Sequence, residues 1–352
     1  RRTLRDRRHR LDAEPVRGRF LNTSKQGKFN AYFTDRIAEL HATGHIGNSQ
    51  TYKQTQDMLR SYDRKLDQRL FSDIDLRYVR GFDMFLQKRS CCGNTRKFYF
   101  KALRAILNRA NAEGVGSVAT YPFGRGGFEV SKLEEATAKR YLPAAELSKL
   151  KSATANNPQC EYARKLFLFS YYCYGISFID MAMLTAAHIK QMEDGDYIVY
   201  KRQKIKRQKG VKPISIKITP AIRQLIESLQ AASPTVDDFL LPVVTRSGYT
   251  GERLYMHIRT RYRQVTRNTC VLLAEELGID FHLTSYVSRH TAAMTLQRNH
   301  IPREVISQML GHADLENHER LPRQLRQRRD QRGGQKFCNR QQWFNIFCIF
   351  AL

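Results

Sequence analysis

Seven consecutive residues, Tyr121-Pro122-Phe123-Gly124-Arg125-Gly126-Gly127, interrupt the periodicity of this chain and divide what it can build into two parts. The proline removes a backbone donor, and three glycines within four positions leave the backbone without the restraint that a helix needs. The 352 residues suffice for a separate core on each side, and a hydrophobic content of 41% can fill both.

Before the break the apolar residues recur at helical spacing. Phe29, Phe33, Ile37 and Leu40 form one stripe, and Tyr52, Thr55, Leu59, Tyr62 and Leu66 a second. Leu76, Val79, Phe82 and Leu86 follow the Ser72–Asp75 capping region, and Leu103, Leu107 and Ala110 follow Gly93-Asn94. Four amphipathic helices with short connections predict a compact all-α bundle. On the fourth helix Lys97, Lys101 and Arg104 fall at i, i+4 and i+7, giving a basic face that is either solvated or set against DNA phosphates. Residues 1–24 carry Arg1, Arg2, Arg5, Arg7, Arg8 and Arg10 with little periodicity, as a disordered tail or a DNA-gripping arm would.

After the break the pattern is mixed. A strand-like stretch near Phe128–Leu133 precedes Lys139-Arg140-Tyr141-Leu142-Pro143, which leads into a helix. Ala163 to Leu184 is a strongly apolar helical region interrupted at Gly175. Tyr197–Lys201 and Ile214–Ile218 alternate as strands do, with a Lys/Arg/Gln-rich turn between them. Helical spacing returns over Thr219–Leu229, Arg253–Leu277, Ser288–Leu296 and Arg303–Leu310, and Arg259, Arg261, Arg263 and Arg267 load one of these helices with charge.

Sixty Lys and Arg against 33 Asp and Glu leave a net charge of +27, which predicts an extended polyanionic partner, nucleic acid before a membrane or an acidic protein. No apolar run reaches spanning length, and the Arg-rich start, at Arg1 rather than Met, lacks the apolar centre of a signal peptide. That start fits a fragment or a processed or truncated reading frame. The seven cysteines include the pair Cys91-Cys92 but show no zinc-ligand spacing, as expected of reduced thiols in a cytosolic protein. His282, His290 and His312 have no carboxylate or cysteine partners at ligand spacing, so no metal is expected; nor is a nucleotide, since there is no P-loop. No Ser/His/Asp motif stands out either. What remains is a basic set suited to a phosphodiester. Cations are needed at its non-bridging oxygens, where the planar fork of arginine pairs with two at once, and a proton donor is needed for the leaving oxygen.

The motifs come in a definite order. A helix carries Gly175-Ile176-Ser177-Phe178-Ile179-Asp180-Met181-Ala182, a hairpin carries Tyr200-Lys201-Arg202-Gln203-Lys204, and Thr284-Ser285-Tyr286-Val287-Ser288-Arg289-His290-Thr291 precedes Met309-Leu310-Gly311-His312. This arrangement resembles the tyrosine recombinases of the phage integrase family, particularly the integrases common in Bacteroides-type bacteria and their mobile elements, over roughly residues 25–315. The resemblance implies a mainly α fold: a SAM-like four-helix core-binding domain and a mixed α/β catalytic domain with a small β-sheet. The two would close around double-stranded DNA. Strand cleavage would run through a 3′-phosphotyrosyl enzyme without metal, ATP or other cofactor, because the covalent bond conserves the phosphodiester energy. Intact relatives work as tetramers on DNA, with no membrane involved, in the bacterial cytoplasm and at the nucleoid. The expected domains are a basic arm over 1–24, the core-binding domain over 25–120, a linker over 121–132, the catalytic domain over 133–320 and an aberrant tail over 321–352.

The same resemblance assigns residues. Arg289 matches the second catalytic arginine, His312 the histidine that supports the transition state, and Lys204 the hairpin lysine that protonates the 5′ leaving oxygen, although Lys206 and Lys209 blur that register. Tyr286 stands at the histidine of the family's HxxR motif, a variant also found among the relatives. Two departures matter more. Tyr174 replaces the first catalytic arginine, the residue before Gly175, and a phenol supplies neither its charge nor its fork. Leu321 stands where the nucleophilic tyrosine is due, about nine residues after His312, in a segment that turns Arg/Gln-rich and loses its apolar pattern.

Synonymous codons exist for residues 316–334 that, read one nucleotide later, give KTTNVYLDSFDNAVIKEA, with the family's pattern and a tyrosine in step with Leu321. The expectation is a single-nucleotide frameshift just after Leu315. The apolar end, Gln341–Leu352, with the only tryptophan, is then out-of-frame translation or, on the other reading, a partner-binding helix.

Overall fold

The computed structural model describes residues 27–137 and 140–311. His312, Leu321, the basic arm and the whole apolar tail lie outside them. Contacts divide the chain into two units, with the boundary after Thr137.

The first unit is built from α1 (Phe29–Ala42), α2 (Ile46–Tyr62), α3 (Leu76–Lys88) and α4 (Gly93–Ala112). The expected stripes form its core: Phe29 and Phe33, Leu59 and Leu66, Val79, Phe82 and Leu86, and Leu103, Leu107 and Ala110 are all buried. Asp75 caps α3 by accepting from the Tyr78 amide at 2.8 Å, so the third helix starts where a side-chain acceptor replaces the missing intrahelical one. Arg96 on α4 donates to both carboxylate oxygens of Asp83 on α3, at 2.9 and 3.0 Å, and fixes the pairing of those helices.

Residues 121–137 belong to this unit. Phe123 and Phe128 pack on Phe100, the latter ring at 4.4 Å, and the aromatic residues of the expected linker become part of its wall. The stretch Phe128–Leu133 is not a strand. It turns as a 3-10 helix over Val130–Leu133, because its apolar side chains cover α4 and the chain runs beside no edge strand there.

The second unit is organised on α6 (Pro158–Tyr172), which follows the shorter α5 (Ala144–Ser152). Asn157 caps α6 and Pro158 opens it, where a missing amide costs nothing. Its apolar residues surround it on all sides, and Cys160, Ala163, Leu166, Phe167, Phe169 and Tyr171 are all buried. A helix apolar all round must sit at the centre, and α8 (Pro220–Ala232), α10 (Cys270–Glu276) and α11 (Val287–Arg298) pack against it.

A turn after α6 leads to the short α7 (Phe178–Ala182) and then to an antiparallel sheet, β1 (Ile189–Met192), β2 (Gly195–Tyr200) and β3 (Ile214–Lys217), in that order. Ile198 pairs with Ile189 on one side and Ile216 on the other, and Tyr200 pairs with Ile214. The strand β1 has no legible sequence pattern, because its residues are mostly exposed and do not alternate, although Asp194-Gly195 is a hairpin signal. The helix expected over 253–277 keeps its path but is α9 (Gly251–Arg263), a π-helical turn over Gln264–Thr269, and α10. Thr266 bonds Ser285 at 2.7 Å on the segment that leads to α11. The chain then runs through α12 (Arg303–Met309) to Gly311.

Candidate active site

Three pieces of backbone far apart in sequence meet at Arg289. The residue lies in the first turn of α11, is 5% exposed, and uses its guanidinium to join the other two pieces. Nη1 donates to the Gly175 carbonyl at 2.7 Å, and Nη2 to the Leu310 carbonyl at 2.5 Å. The turn after α6 and the end of α12 are thereby tied to one fork.

Close approach makes this possible. Tyr174 and Gly175 both adopt left-handed conformations, with φ of 53° and 76°. A Cβ on Gly175 would lie 2.6 Å from the Arg289 Cα and 2.8 Å from its Cγ, so only glycine lets the turn touch the arginine. Ser170 on α6 holds the turn by donating to the Ile176 carbonyl at 2.8 Å, and its hydroxyl also bonds that of Ser288 on α11 at 2.7 Å. Gly311, φ 64°, has the same role at the other end, since a Cβ there would meet Ile214 Cδ1 at 2.5 Å and Arg202 Cδ at 2.6 Å.

The hairpin connection is tied to this centre by Asp180, which sequence reasoning missed. Asp180 is 3% exposed on α7. Its Oδ1 accepts from the Gln203 amide at 2.7 Å, and its Oδ2 accepts from Ser177 Oγ at 2.6 Å. Arg202, also missed, places Nε 3.7 Å from Asp180 Oδ2 and donates from Nη1 to the Gly311 carbonyl at 2.9 Å. An acid two residues into a short helix gives no local sign that its partner is a backbone amide 23 positions on.

Electrostatics follow from this packing. Burial pushes the Arg289 guanidinium below its usual pKa, and the neighbouring charge of Arg202 pushes the same way. Burial holds the Tyr200 phenol far above its ordinary value, and the Asp180 charge adds to it. Tyr174, at the position where the resemblance led one to expect the first arginine, is likewise a buried neutral phenol raised by desolvation.

The remaining expected residues fall as follows. Lys204 is exposed on the β2–β3 connection, one residue beyond the amide that Asp180 pins. Tyr286, at the head of α11, is 51% exposed and sets its ring edge-on to His290 at 4.9 Å. On α4 of the first unit Lys101 and Arg104 are exposed, whereas Lys97 is engaged by Glu134 at 2.6 Å. Of the arginines on α9 and its π-helical extension, Arg261 lies over the Tyr162 ring at 5.5 Å, and Arg263 and Arg267 are exposed. Among the described residues no group of three or more His, Cys, Asp or Glu side chains could hold a metal ion, and no helix is long and apolar enough to cross a membrane.

Known proteins resemble this architecture. XerH, a site-specific recombinase solved bound to a palindromic difH substrate, superimposes with a TM-score of 0.57 at 16% identity, covering 88% of this chain and 85% of its own. The Tn1549 transposon integrase, solved with transposon right end DNA, gives 0.55 at 13% identity over 80% and 93% of the two chains. A lambda integrase fragment, solved as a dimer bound to a COC′ core site, gives 0.53 at 14% identity over 86% and 98%. No curated protein sequence comes close enough to count as a match. In sequence, the phage integrase SAM-like domain matches residues 28–128, and the phage integrase family matches residues 140–320, a span that ends one residue before Leu321. Since that second match covers more than half of the chain, and its span holds Arg289 with both backbone segments it joins, the protein belongs to the phage integrase family.

Proposed function

We propose that this chain binds duplex DNA at recombination sites as a tyrosine-type site-specific recombinase, and that in its present form strand cleavage is impaired. The observation that carries the reading is the Arg289 fork, fixed by Gly175 and Leu310 with glycine-enabled contacts on both flanks. A pocket for a phosphodiester needs its cation preorganised, so that no reorganisation is required as charge develops. In the proposed assignment Arg289 binds the scissile phosphate, His312 supports the transition state and Lys204, on a hairpin pinned at its neighbour, protonates the 5′ oxygen. Lys101 and Arg104 take DNA phosphates on the first unit. The impairment comes from Leu321, which has no nucleophilic atom, and from Tyr174. The lambda integrase has been solved as a tetramer on a Holliday junction, and the same assembly on DNA is proposed for a frame-repaired form of this chain, in the bacterial cytoplasm at the nucleoid.

The test is a nicked suicide duplex carrying an inverted-repeat core site. The chain as it stands should bind it with strong salt dependence and form no covalent adduct; adducts would sink the impaired reading, and binding no better than to random duplex would count against site recognition. Restoring the alternative frame and making Tyr174→Arg should bring cleavage back, and Lys204→Ala should then slow it. The nucleotide sequence after codon 315 decides the frameshift independently, since it either encodes KTTNVYLDSFDNAVIKEA one nucleotide later or does not. Leu321 and Tyr174 together favour a second reading, a non-catalytic relative that occupies sites as a regulator. That reading holds if the repaired chain binds the core site and still forms no adduct.

A further inference from the structure

Two guanidiniums reach the turn that closes α12. Arg289 donates to the carbonyl of Leu310, and Arg202 donates to the next carbonyl along the chain, that of Gly311, at 2.9 Å. Successive carbonyls are only a few ångströms apart, so the two cations are neighbours. Like charges held together away from water repel, and the charge of Arg202 is among the causes that depress Arg289. An anion bound between them would offset that cost.

Asp180 offsets it only in part. Its two oxygens already accept from Gln203 and Ser177, and its nearest approach to Arg202, 3.7 Å to Nε, is longer than a hydrogen bond. Arg202 Nε is buried without an acceptor, and Nη2 has none among the described residues. The side chain is nonetheless 15% exposed, and it lines a cavity of about 500 Å³ together with Lys209, Lys212, Glu304, Gln308 and Gly311. The guanidinium is therefore held through Nη1, which leaves the Nη2 donors for a ligand.

We propose that Arg202 supplies the second guanidinium of the phosphate pocket, the part for which Tyr174 offers only a phenol. Arg289 is flanked on one side by Gly175, next to Tyr174, and on the other by Leu310, next to the carbonyl that holds Arg202. The second positive charge enters from the α12 flank instead of the α6 flank. Gly311 permits this, because a side chain there would strike the Arg202 stem. The assignment rests on the DNA-binding reading above. It makes the loss at Tyr174 the smaller part of the impairment, beside the missing nucleophile.

Affinity for a random-sequence duplex, followed across salt concentration in the chain as it stands, tests it. Arg202→Gln keeps a donor for the Gly311 carbonyl but loses the charge. It should weaken binding about tenfold and lower the slope of log affinity against log salt by about 0.9. Adding Tyr174→Arg to that variant should restore both, because the new guanidinium enters the same pocket from the opposite flank. A structural role would not give that result, since Tyr174→Arg cannot remake the bond to Gly311; a loosened hairpin would stay weak and melt lower. In the frame-repaired chain, Arg202→Gln should slow adduct formation on a nicked duplex by about 10², again recovered by Tyr174→Arg. Binding unchanged in Arg202→Gln, or a loss that Tyr174→Arg leaves uncorrected, overturns the assignment and leaves the DNA reading intact. Absence of salt-dependent duplex binding by the parent chain overturns both.

Discussion

Gly175 and Arg289 touch in two ways: the glycine carbonyl accepts from Nη1 at 2.7 Å, and its missing Cβ is what allows the arginine backbone to lie so near. Either feature alone is common. Together they make the position of the guanidinium depend on one hydrogen atom's worth of space at residue 175.

Gly175→Ala should therefore cost about 3 kcal/mol, from the left-handed backbone and from the overlap with the Arg289 Cα. Thermal unfolding followed by calorimetry should show the midpoint of the second unit falling by several degrees. A variant melting within a degree of the parent would mean that the turn relaxes freely.

Asp180→Ala removes the acceptor for the Gln203 amide, the partner of Ser177 and the carboxylate beside Arg202. The expected loss is roughly 3–5 kcal/mol, as for breaking a buried charge pair, while Asp180→Asn keeps an acceptor and should lose less. Chemical denaturation separates the two; equal losses would assign the whole effect to charge.

On the first unit, Lys97 is neutralised by Glu134 and Lys101 and Arg104 are not. Lys101→Ala and Arg104→Ala should each lower the salt slope of duplex binding by nearly 0.9, and Lys97→Ala by clearly less. Glu134→Gln should release Lys97 and tighten binding. If Lys97→Ala costs as much as the other two, the ion pair gives way on DNA.

The cysteines should differ sharply in reactivity. Thr95 hydrogen-bonds Cys92 and holds its exposed thiol below the usual pKa, whereas burial pushes Cys160 up to about 11 and Cys270 up to about 12. The thiolate is the reactive form, so alkylation of Cys92 should rise with pH through a midpoint below that of a free thiol. Peptide mass spectrometry of folded protein under limiting iodoacetamide should find Cys92 modified well before Cys160 or Cys270. Comparable labelling of Cys160 would indicate local opening near α6.

Much of the fold could be read from side-chain spacing. The stripes at Phe29, Leu59, Phe82 and Leu103 are helix faces, since burial on one side repeats every three to four residues whatever the helix packs against. Spacing is silent for β1, whose four residues are mostly exposed, and misleading for Phe128–Leu133, which alternates like a strand but forms a turn lying over α4. The site was legible only in part. Arg289 and Lys204 stood out within motifs, but Asp180 and Arg202 have partners 23 and 109 positions away, and local pattern does not register distances of that kind.

By itself the sequence determined the composition of the two units, the order of their helices and the positive charge that selects a polyanion. These are properties of residue type and spacing along one dimension. Tertiary structure decided which carbonyls orient Arg289, that Lys97 is spent on Glu134, and that Arg202 stands beside Arg289. A guanidinium acquires a direction only from acceptors that the fold brings to it, and here Gly175, Leu310 and Gly311 arrive from opposite ends of the second unit.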